Sequence, residues 1–198
     1  MKQNNDLGGG TSSKDIDFEP TKLGKLPVTK IDAAVRQLET AITLWFHDAE
    51  PVSIATLTYA GYQIISDLNK NRNGKSMLLD EENKHIKPKY QKAFRRIMRA
   101  TPNFFKHADQ DPDETHYFKP EVTQFILFEA ITIYSSWNME IRPLFKVYSL
   151  WITLVYPKLF KEDYVKTFDE IVNEDNIAVR MGKRKFYETC LVQNMEIY

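Results

Sequence analysis

Prolines punctuate this chain at positions that leave it little choice but a bundle of helices. Pro51, Pro88, Pro120, Pro143 and Pro157 separate stretches in which apolar side chains recur every three or four residues. That interval is the helical period, and proline is tolerated in the first turn of a helix but not in its interior. The clearest stretch carries Ile31, Val35, Leu38, Ile42 and Trp45, with Thr29 and Asp32 at capping-box spacing ahead of it. A helix is therefore expected from about Thr29 to His47-Asp48, stopped by Ala49-Glu50-Pro51.

Ser53 is expected to cap a second helix through about Leu68, with Ile54, Leu57, Gly61, Ile64, Ile65 and Leu68 on its inner face and Gly61 permitting close approach of a neighbour. The short connection makes the first two helices an antiparallel pair. Asn69 to Gly74 then reads as a solvated loop and Met77-Leu78-Leu79 as a small apolar plug. A third helix opens at Pro88, with Tyr90, Phe94, Ile97 and Met98 facing inward and Lys89, Lys92, Arg95, Arg96 and Arg99 around the other side. Pro102 is expected to interrupt it, leaving Asn103 to Ala108 as a further helical turn and Asp109 to Asp113 as loop.

A fourth helix from Pro120 wraps apolar residues widely (Val122, Phe125, Leu127 or Phe128, Ile131, Tyr134) and should be central. A fifth runs from Pro143 to Tyr156, a sixth lies around Tyr164, Phe168, Ile171 and Val172, and a short terminal one carries Phe186, Tyr187, Leu191 and Val192. Ile131-Thr132-Ile133 is strand-like in composition, but no pair of alternating runs is joined by a tight turn. The expected fold is all-α, a single bundle of about six to seven helices over residues 21–198. Residues 1–20, with Gly8-Gly9-Gly10, read as a flexible leader.

Composition narrows the function classes. Lys plus Arg and Asp plus Glu both total 27, so no overall field draws the protein to nucleic acid, and any such contact must use a local patch. The single Cys190 cannot form an intrachain disulfide, which fits a cytoplasmic location. The first residues lack a charged segment followed by an apolar run, and no stretch approaches the roughly 18 apolar residues a membrane span needs, so neither a secretion signal nor a membrane partner is expected. Trp45, Trp137 and Trp151 fall among apolar neighbours as core anchors, and Lys183-Arg184-Lys185 reads as a solvated helix start.

Reactive side chains concentrate between Asn103 and Asp113, beside the basic side of the third helix. Asn103 and His107 are four apart and share a face if the segment is helical, with Lys106 adjacent, and an imidazole near an amide and an ammonium is a general acid or base in waiting. The structural alternative is an Asn103 that caps a turn and a His107 that bonds a carbonyl at a helix end. Asp109, Asp111 and Asp113 begin like a calcium loop, but Glu114 stands where glycine is required and Pro120 where the bidentate acid belongs, which excludes an EF-hand. His107, Asp109 and Asp111, with His116 nearby, remain an alternative set of metal ligands. No cofactor motif is present.

The segments Pro51-Val52-Ser53-Ile54-Ala55-Thr56-Leu57 and Asn103-Phe104-Phe105-Lys106-His107-Ala108-Asp109 resemble a widespread group of uncharacterised bacterial all-helical proteins, itself distantly similar to HEPN domains. The resemblance implies a helical bundle that binds RNA or nucleotides, working as a homodimer in a toxin or defence setting. Active HEPN ribonucleases place an arginine, often followed by asparagine, shortly before a histidine near a helix start. Asn103 and His107 match the last two, while Pro102 stands at the arginine's place. Arg99 and Lys106 are the cations that could stand in for it, giving His107, Asn103, Lys106 and Arg99 as the site that the resemblance implies. A metal-independent ribonuclease, a nucleotide-binding protein and a non-catalytic interaction module are the functions to be separated.

Overall fold

The computed structural model describes residues 24–80, 87–109, 112–137, 139–140, 142–160 and 180–193, and among them every regular element is helical. Helix α1 (Lys30–Phe46) starts at a true capping box: Thr29 Oγ1 accepts from the Asp32 amide at 3.1 Å, and Asp32 Oδ2 accepts from the Thr29 amide at 3.0 Å. It ends at His47, after which Asp48 takes a left-handed φ of 52° and turns the chain back. Helix α2 (Pro51–Asn71) begins two residues before the expected Ser53 cap and ends three after Leu68. Its cap is Glu50, whose two carboxylate oxygens accept from the Val52 and Ser53 amides at 3.0 and 2.7 Å. A carboxylate satisfies two orphan donors at once, and Pro51 needs none.

Helices α1 and α2 pack closely because Gly61 faces Leu38: a Cβ at Gly61 would lie 2.8 Å from both Cγ and Cδ2 of Leu38 and 3.2 Å from the Ala34 carbonyl oxygen. Helix α4 (Pro120–Ser135) packs on α2 through Ile126, Leu127, Ala130 and Ile131, and α5 (Pro143–Val155) brings Phe145, Tyr148 and Ile152 against α1 and α4. A 3₁₀ turn (Pro157–Leu159) follows, and α6 (Lys183–Gln193) closes the end of α1. There Tyr187 stacks on Phe46 with centroids 4.8 Å apart. Leu38, Ile42, Phe46, Tyr62, Ile65 and Tyr148 are fully buried, each removing apolar surface worth about 1.5–3 kcal/mol from water.

The plug at Met77 to Leu79 is apolar in its side chains, as expected, but polar partners fix its backbone. Glu129 of α4 accepts from the Leu78 amide at 2.8 Å and from the Tyr62 hydroxyl at 2.7 Å, and Tyr62 in turn accepts from the Leu79 amide at 3.1 Å. Asp80 accepts from the Met77 amide at 2.7 Å and from Ser66 Oγ at 2.8 Å, with Lys70 Nζ 3.1 Å away. Burial and the facing Glu129 carboxylate push the Tyr62 phenol far above its ordinary range.

Helix α3 (Pro88–Phe104) departs most from expectation. Pro102 does not interrupt it, because a proline in the last turn deprives only the Met98 carbonyl of an amide partner. Of the four residues expected to face inward, Met98 packs half-buried against the core and Phe94 is half-buried, but Tyr90 and Ile97 are 55% and 67% exposed, and Pro102 is the one buried side chain of the helix. Toward its C-terminal end, Arg99 Nη2 donates to the Leu79 carbonyl at 3.3 Å.

Two further readings need adjustment. Lys183 is not simply solvated, since its ammonium pairs with Asp48 at 2.5 Å and sits 4.4 Å from the Trp45 ring centre. Trp151 is buried, whereas Trp45 and Trp137 are half-buried at the edge of the core, Trp137 beneath the Arg72 guanidinium at 4.3 Å. The leader at 1–20, the sixth expected helix around Tyr164 to Val172, and Asp111 lie outside the described residues. Among the described residues no helix is long and apolar enough to cross a membrane.

Candidate functional site

The end of α3 builds a cleft of about 560 Å³. After Pro102 the backbone closes on itself: the Phe105 amide donates to Thr101, and the Lys106 and His107 amides both donate to the Asn103 carbonyl at 3.1 Å. Asn103 thus lies in the last turn of α3 and His107 just past it, at a helix end and not at the helix start that the HEPN resemblance implies. The cleft is lined by Ala100, Asn103, Phe104 and His107 from the helix end and by Asp109, Glu114 and His116 from the segment that follows.

The segment that follows is pinned to the helix end through His116. Its Nε2 lies 2.8 Å from Thr101 Oγ1, its ring stacks on Phe104 with centroids 5.2 Å apart and planes 29° apart, and Phe105 meets it edge-on. Phe105 also packs edge-on against Phe118 at 5.2 Å, which ties the returning chain to the helix end. His116 is half-buried and His107 exposed, and among the described residues neither the His107 ring nor Nδ1 of His116 has a protein hydrogen-bond partner.

Of the expected site residues, the structure brings Asn103 and His107 into this cleft. Arg99 lies one turn back on the same helical face, its guanidinium directed in part at Leu79, and Lys106 is exposed beside the cleft. Pro102 is buried, so the position that the resemblance assigns to arginine faces the interior. Among the described residues no three His, Cys, Asp or Glu side chains gather as metal ligands would; Asp109 lines the cleft and Asp113 is exposed.

Sequence reasoning named His116 only as a metal ligand and did not name Thr101. Thr101 and His116 are separated by a loop that holds no period, and spacing alone could not have paired them. What spacing does show is charge: from Lys87 to Lys106 the chain carries seven Lys and Arg residues and no Asp or Glu. Lys92, Arg96, Arg99 and Asn103 follow one another at intervals of four, three and four, and all four are exposed. No protein-family model, no curated protein and no solved structure matches this chain.

Proposed function

We propose that the chain is a HEPN-like helical protein that binds RNA, holding the backbone of a single strand along α3 and one nucleotide in the cleft at its end. The observation that carries this reading is the exposed row Lys92, Arg96, Arg99 and Asn103, which runs straight into the cleft that Asn103 and His107 line. At the helical rise it extends about 16 Å. In a chain of zero net charge such a row is a local field, and guanidinium groups match phosphate oxygens geometrically. Unstacked bases are read by aromatic faces, and the Phe104–His116 pair supplies one. Asp109 and Glu114 repel phosphate, so the cleft beside them suits a base or ribose.

The test is fluorescence anisotropy with labelled single-stranded RNA and the Lys92→Glu/Arg96→Glu double variant. The expected result is affinity reduced tenfold or more with an unchanged melting temperature. Equal affinity in the variant, or no binding by the wild type at low salt, overturns the reading.

A second reading, a non-catalytic protein-interaction module, is favoured by Tyr90 and Ile97, which expose apolar surface on the opposite side of α3. It predicts that Ile97→Asp abolishes partner capture while RNA affinity is absent in wild type and variant alike.

A further inference from the structure

The HEPN resemblance leaves its site one cation short, because Pro102 is buried where arginine would stand. The cleft contains a different group able to carry a proton and a positive charge. We infer that His116 is a second proton-transfer residue, working with His107 to cleave the RNA strand that the cleft holds; the inference rests on the RNA-binding reading.

Three observations point to His116. It lines the same cleft as His107. Its ring is fixed on two sides, by Thr101 at Nε2 and by the face of Phe104, as a group that must meet a substrate in one orientation would be. Its second nitrogen, Nδ1, has no protein partner among the described residues, so one ring nitrogen is left for a ligand. The other ionisable groups facing the cleft are Asp109 and Glu114, and Lys106 stands beside it.

Strand scission at a ribose needs one base and one acid. The imidazole that starts neutral takes the proton of the 2′-hydroxyl, and the 2′-oxygen forms a bond to the adjacent phosphorus. The bond from phosphorus to the 5′-oxygen breaks with its electron pair, and that oxygen takes a proton from the second, protonated imidazole. The products are a 2′,3′-cyclic phosphate and a free 5′-hydroxyl. One proton is taken and one returned, so no oxidant or co-reactant enters, and the imidazolium supplies positive charge where the phosphorane gathers negative charge.

The experiment compares wild type, His107→Ala and His116→Phe on a synthetic RNA oligonucleotide and its all-deoxy counterpart, reading end groups, rate against pH and binding. His116→Phe keeps a ring on Phe104, and His116→Gln checks that the loss does not depend on that choice. Expected are cyclic-phosphate ends from RNA only and a fall of about 100-fold or more in each variant with the RNA fully bound, so that weaker binding does not account for the loss. A bell-shaped pH profile should also lose one limb in His116→Phe. Wild-type rate in both His116 variants, or a wild type that binds RNA yet yields no cyclic phosphate, overturns the assignment while leaving RNA binding standing. A wild type that does not bind RNA overturns both.

Discussion

The Tyr62 hydroxyl donates to Glu129 Oε2 at 2.7 Å and accepts from the Leu79 amide at 3.1 Å, so one buried phenol joins α2, α4 and the plug between them. Tyr62→Phe removes both bonds without opening a cavity. It leaves a buried amide without its acceptor and should cost about 1–3 kcal/mol in urea unfolding. A cost below about 0.5 kcal/mol would mean that the plug does not depend on this link.

Gly61→Ala should destabilise the protein by about 1–3 kcal/mol, because the added methyl group meets Leu38 at its branch point and the Ala34 carbonyl oxygen, neither of which yields easily. Gly24→Ala, with nothing within 4 Å, is the control and should leave the melting temperature unchanged.

Capping of α2 predicts an acid limb. The Val52 and Ser53 amides hold the Glu50 carboxyl below its ordinary value of 4.5. Its contribution is therefore present above that value and lost as pH falls through the lower, folded-state value. The gap in melting temperature between wild type and Glu50→Gln should be widest near neutrality and close as pH drops below about 4. A gap that stays constant down to pH 3 would assign the effect to something other than this charge.

RNA affinity should fall steeply with salt. Each phosphate neutralised on a single strand contributes a slope of about −0.7 in log K against log salt, so Lys92→Glu/Arg96→Glu should flatten the slope by about 1.4. A flat wild-type slope would exclude the basic row of α3 as the contact surface.

Much of the fold was legible because its signals are local. Thr29 and Asp32 announce the start of α1, and Pro120 and Pro143 stand at the first residue of α4 and α5 as their spacing implied. Where reading failed, the deciding interaction left no mark in the spacing of the residues. Glu50 replaced Ser53 as a cap because a carboxylate reaches two amides. Tyr90 and Ile97 have the period of a buried face, yet period records amphipathicity and not which surface lies opposite. In the cleft, Asn103 and His107 were paired by their interval of four, whereas His116 reaches Thr101 only through the return of the chain past Asp113.

A helix of 17 residues with one buried side chain has consequences for how this protein can change. Substitutions in a packed core are policed by stability before function is ever tested, but most positions on α3 escape that filter. Selection can rewrite the charge and shape of this helix residue by residue while the other described helices keep the fold. Recognition in this protein can therefore diverge quickly between otherwise similar chains.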